Sequence, residues 1–61
     1  MKYSEYAKLR DERGLKDADV AKASGLNQPL FTNWKHGRYM PKIDKIKKIC
    51  EVFGVSVVDY L

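Results

Sequence analysis

Four glycines, Gly14, Gly25, Gly37 and Gly54, cut the chain into short stretches, and the apolar residues inside those stretches recur at helical rather than strand spacing. That punctuation leaves little choice of architecture. No stretch alternates apolar and polar residues as a half-buried strand would, and there is no internal repeat, linker or low-complexity run. With 61 residues there is room for one domain, spanning 1–61. The expected fold is therefore all-α, a compact set of five short helices about one core.

Tyr3, Tyr6, Ala7 and Arg10 share one side of a first helix, expected from about Ser4 to Arg13. Asp17 is placed to cap a second, over about 17–24, which turns Val20, Ala21 and Ser24 inward. Gly25 ends it, because a helix stop needs a left-handed residue that glycine adopts without penalty. Asn27 is a good N-cap for a third helix, Gln28 to His36, with Pro29 tolerated in its first turn. Beyond Pro41, the spacing of Ile43, Ile46, Ile49, Cys50 and Phe53 predicts a fourth helix. Ser56 caps a last one, Val57 to Leu61, whose Val58 and Leu61 are expected to close the core.

The formal net charge of +4 is unevenly spread: residues 26–48 carry six basic side chains and one acidic, whereas residues 49–61 carry only two acidic ones. A basic block of this kind suits a polyanion, although a solvated lysine-rich face would account for charge alone. A single cysteine, Cys50, closes no internal disulfide and builds no zinc site with the one histidine, His36. On the apolar side of its helix, Cys50 reads as a small buried hydrophobe. No apolar run approaches the roughly 20 residues of a membrane-spanning helix, and Met1-Lys2-Tyr3-Ser4 does not open a signal peptide, so a cytoplasmic protein is expected. Asp44, Glu51 and Asp59 form no acid and base pair, and there is no glycine-rich phosphate loop. No enzyme, cofactor, metal or small-molecule ligand is expected.

The third helix carries the functional signal. Leu30, Phe31 and Trp34 fall in one arc of the wheel and form a buried face, Trp34 with its indole N–H near the surface. Gln28, Pro29, Thr32, Asn33 and His36 lie opposite. A solvent-facing helix more often shows Glu and Lys, while Thr and Asn are mediocre helix formers. Base edges in the major groove offer a reason for them: Gln or Asn bonds bidentately to adenine, and Thr donates, accepts or touches a thymine methyl. Gln28, Pro29, Thr32 and Asn33 are thus candidate base contacts. Asn27, Lys35, His36, Arg38, Tyr39 and Lys42 flank them as candidate phosphate contacts. Tyr39 and Met40 have an equal claim to packing against Trp34.

The run Leu15-Lys16-Asp17-Ala18-Asp19-Val20-Ala21-Lys22-Ala23-Ser24-Gly25-Leu26-Asn27-Gln28-Pro29-Leu30-Phe31-Thr32-Asn33-Trp34-Lys35-His36-Gly37 resembles the helix-turn-helix of the phage repressor and Cro family. Pro41 and Phe53-Gly54-Val55-Ser56 match its pattern too. The resemblance implies a lambda-repressor-like domain in which Ala21 sits where two helices cross, Gly25 makes the turn, and Gln28 leads the base contacts. Three positions depart from the family. Lys16-Asp17 stands where Ser or Thr and Gln are common, and an aspartate there would repel phosphate. Lys35 stands where an acidic residue commonly pairs with the arginine matching Arg10, leaving Arg10 to find Asp11, Glu51 or solvent. Pro29 limits its position to apolar contact.

The implied function is transcription regulation, as a repressor of phage type, by a dimer on a two-fold symmetric operator of double-stranded DNA. Residues 55–61, with Val55, Val57, Val58, Tyr60 and Leu61, offer the homodimer surface, unless it lies in a missing C-terminal region. A protein-interaction module of the same fold, as in an antitoxin or an antirepressor target, is the rival. The DNA-binding part of a larger enzyme is a third reading.

Overall fold

The computed structural model describes residues 1–61 and contains four α-helices: α1 (Tyr3–Glu12), α2 (Asp17–Ser24), α3 (Gln28–Lys35) and α4 (Ile43–Phe53). The expected fifth helix is a single 3-10 turn, Val57–Tyr60. It is too short to propagate α-helical bonds, and it closes instead through Asp59 N–H to the Ser56 carbonyl at 3.3 Å. No strand is present.

Helix starts depend on side chains that the spacing alone did not single out. In α1, which begins one residue earlier than expected, the Glu5 carboxylate accepts from Lys2 N–H at 2.7 Å. In α2 the same arrangement joins Asp19 to Lys16 N–H at 2.9 Å. Asp17 is therefore not the cap: it is the first residue of α2, and its carboxylate is engaged elsewhere. Asn27 holds the N-cap position of α3 but makes no side-chain capping bond; its backbone carbonyl accepts from Leu30 N–H at 3.1 Å. Gly25 adopts φ 74°, which lets Leu26 N–H return to the Ala21 carbonyl at 3.0 Å and turns the chain sharply from α2 into α3.

The core is an aromatic nucleus centred on Tyr6, whose ring lies 5.1 Å from Trp34, 5.2 Å from Phe31 and 5.9 Å from Phe53. Val20, Ala21, Ile46, Ile49 and Cys50 complete it, with α2 packed against both α3 and α4. Each fully buried side chain of this size contributes about 1.5–3 kcal/mol of transfer free energy. That burial, spread over all four helices, holds α3 in place.

Three expectations about burial are corrected. Ile43, the first residue of α4, is 53% exposed because contact with the core begins one turn later, at Ile46. Val58 and Leu61 are 69% and 79% exposed, so the core closes without them, using Val55, Val57 and Tyr60 as partly buried lids. The Trp34 indole N–H is buried and has no hydrogen-bond partner, rather than lying near the surface. Tyr3 meets the indole ring edge-on at 5.5 Å and Tyr6 stacks on it, which keeps water away.

Candidate nucleic-acid interface

The face of α3 opposite Phe31 and Trp34 is open to solvent. Gln28, Pro29 and Thr32 are exposed and Asn33 is half-buried, and these four residues together line one shallow surface depression. Their grouping follows from the anchoring of the opposite side, since Phe31 and Trp34 are held by the rings around Tyr6. A second, more enclosed groove runs alongside, lined by Gly25, Leu26, Asn27, Pro29, Leu30, Asn33, Tyr39 and Lys45. Pro29 and Asn33 are common to both and form the divide between them.

Tyr39 lies on this second groove, not against Trp34, whose ring neighbours are Tyr3, Tyr6 and Phe31. Lys45 was missed. It is half-buried where Lys47 and Lys48 are exposed, and the available signal was its spacing of three from Lys42 across the start of α4. Lys35, His36, Arg38 and Lys42 are all exposed, with α3 ending at Lys35 and His36 serving as its C-cap, one residue short of the expected end.

The basic block of residues 26–48 forms no ion pair. Both ion pairs in the molecule belong to Arg10, so none of the lysines or arginines between residues 26 and 48 has a carboxylate partner. The potential of that block is thus left for an external anion.

Behind the interface, α1 is tied to the start of α2 through Asp17. Its carboxylate accepts from Tyr6 Oη at 2.6 Å, Arg10 Nη1 at 2.7 Å and Tyr3 Oη at 3.0 Å. Arg10 also holds Asp11 at 2.9 Å and donates to Tyr3 Oη at 2.9 Å. Glu51 takes no part. Burial pushes the Asp17 carboxyl up, but the hydrogen bonds from Tyr6, Arg10 and Tyr3 outweigh it and hold the group below its ordinary range. Burial foremost, with the hydrogen bond to Asp17, raises the Tyr6 hydroxyl, and the bond to Asp17 raises Arg10. The Asp17 carboxylate is accordingly engaged within the protein.

A family model described as helix-turn-helix matches residues 7–60. The chain belongs to the helix-turn-helix family. In this helix-turn-helix α2 and α3 are the paired helices and Gly25 makes the turn between them. The chain is 32% identical over 53 residues to the HTH-type transcriptional regulator DdrOP3 of Deinococcus deserti, a match covering 87% of this chain and 41% of that protein. It is also 32% identical over 56 residues to the uncharacterized HTH-type transcriptional regulator y4dJ of Sinorhizobium fredii, covering 92% of this chain and 73% of the relative. This chain thus spans about two fifths of the length of the first of these regulators. No helix is long and apolar enough to cross a membrane, and no cluster of His, Cys, Asp or Glu is suited to hold a metal ion.

Proposed function

We propose that this helix-turn-helix binds double-stranded DNA sequence-specifically and regulates transcription, in the manner of a phage-type repressor, with α3 in the major groove. The observation that carries this reading is the shared, uncharged depression of Gln28, Pro29, Thr32 and Asn33 on the open face of α3, in a stretch of sequence whose cations form no ion pair. Gln28 and Asn33 offer the amides that read purine edges, Thr32 a hydroxyl and a methyl, and Pro29 an apolar surface for a thymine methyl. Asn27, Lys35, His36, Arg38, Tyr39 and Lys42 take the phosphates on either side, and Lys45 joins them from the second groove. Asn27 suits this role because its amide is not used in capping.

The DNA is a two-fold symmetric operator bound by a homodimer. Val58 and Leu61 support residues 55–61 as the contact between copies, since both stand free of the core.

The test is a gel-shift titration on operators selected from a random duplex pool, run over a range of salt. Wild-type binding should weaken steeply with salt, in proportion to the phosphates neutralised. Gln28→Ala should cost about 1–3 kcal/mol on operator and leave random duplex unaffected. Equal losses on both duplexes would remove the base-reading role, and a flat salt response would turn the same surface into a protein-docking site.

A further inference from the structure

The end of α3 joins Asn33 to Arg38 twice. Gly37, at φ 73°, reverses the chain so that Arg38 N–H reaches the Asn33 carbonyl at 2.8 Å while Gly37 N–H reaches the Trp34 carbonyl at 3.0 Å. With the backbone of Arg38 fixed in this way, its side chain folds back over the helix, and Nε–H donates to Asn33 Oδ1 at 3.2 Å. Arg38 is therefore not simply extended toward solvent. Asn33 is the half-buried member of the α3 face and lines both depressions.

A carboxamide can turn over by 180° and so offer a base either its donor edge or its acceptor edge. A free Asn33 would accept from the cytosine N4 amine in one orientation and donate to a purine N7 in the other. The guanidinium holds one orientation, with Oδ1 committed to Nε and Nδ2 left as the unbonded group. We infer that Arg38 is a specificity-determining positioning residue, which locks the Asn33 amide as a donor and so makes this position of the operator a purine in preference to cytosine. This inference rests on the base-reading role proposed for Asn33. It adds that discrimination at that position depends on a residue that need not touch the base.

The experiment compares wild type, Asn33→Ala, Arg38→Lys and the double variant. Each is titrated on a pair of selected operators that differ only by exchange of the base pair whose preference Asn33→Ala relaxes. The readout is the ratio of affinities for purine and cytosine at that position, which uniform changes in phosphate binding leave untouched. Thermal unfolding checks that each variant is folded. Arg38→Lys keeps the positive charge but removes Nε–H, and the ratio should fall about tenfold, as for a lost base contact. The double variant should fall no further than Asn33→Ala, because both substitutions remove one coupled contact. A wild-type ratio in Arg38→Lys, alongside a lost one in Asn33→Ala, overturns the positioning role and leaves base reading intact. Additive losses overturn it too, because Arg38 would then act without Asn33. If Asn33→Ala relaxes the preference at no position of the selected operators, both this inference and the reading of Asn33 beneath it are overturned.

Discussion

Replacing Asp17 with asparagine should destabilise the domain by about 2 kcal/mol at neutral pH. The substitution preserves shape, removes the charge and turns one acceptor oxygen into an NH2 donor, so what is lost is chiefly the charged part of three hydrogen bonds, from Tyr6, Arg10 and Tyr3. A bond to a charged group is worth about 1 kcal/mol more than a neutral one, which would sum to about 3 kcal/mol here. Two features reduce that figure: the Asp17 and Arg10 side chains remain 23% and 19% exposed, and Arg10 keeps Asp11 as a partner. For a domain of this length, each kcal/mol moves Tm by about 4–8 °C, so the expected drop is about 10 °C. Circular dichroism melts at several pH values provide the control within the same experiment. The native carboxyl lies below its ordinary value, which means that its contribution is complete above the unfolded pKa of about 3.9 and is lost as pH falls through the native pKa. Wild type and Asp17→Asn should therefore differ at pH 7 and converge as pH falls through the native pKa, since protonation removes the charge that asparagine lacks. Equal Tm values at pH 7, or a gap that survives full protonation, would refute the assignment of Asp17 as the charged tie between α1 and α2.

Gly25→Ala tests the turn itself: an added Cβ would meet nothing within 4 Å, so the whole cost is the left-handed φ of 74°, about 1 kcal/mol. Its Tm should fall by about 4–8 °C, and an unchanged or higher Tm would show that the turn is not held there. Cys50 is 1% exposed and its thiol is raised above its ordinary value by burial foremost, the nearby terminal amine opposing and Asp59 adding. Alkylation by iodoacetamide at pH 8 should therefore be slow in the native protein and accelerate with urea in step with unfolding, whereas rapid modification without urea would show the α4 face opening on its own.

Periodicity and punctuation carried much of this protein. Gly25 and Gly54 stop α2 and α4 where expected, while α1 and α3 end one residue early; the inward residues of α2 and α3 pack as their spacing requires, and Gln28, Pro29, Thr32 and Asn33 emerge on one face because Phe31 and Trp34 take the other. These are properties of a single helix, and a wheel drawn from consecutive residues contains them. Arg10 has one partner of that kind, the neighbouring Asp11, and one that is not. Spacing alone makes Asp17 a cap and Glu51 a candidate partner, and only the approach of α1 to the start of α2 shows the Asp17 carboxylate turned to Arg10 and two tyrosines. Tyr39 and Lys45 join Asn27 on one groove for the same reason, since they come from separate elements whose mutual angle no local pattern encodes. The exposure of Val58 and the burial of the Trp34 N–H likewise depend on how much volume the other helices fill. Local chemistry decides which side of each helix is apolar; which side chains then meet across the core depends on how rigid bodies of unequal shape pack together.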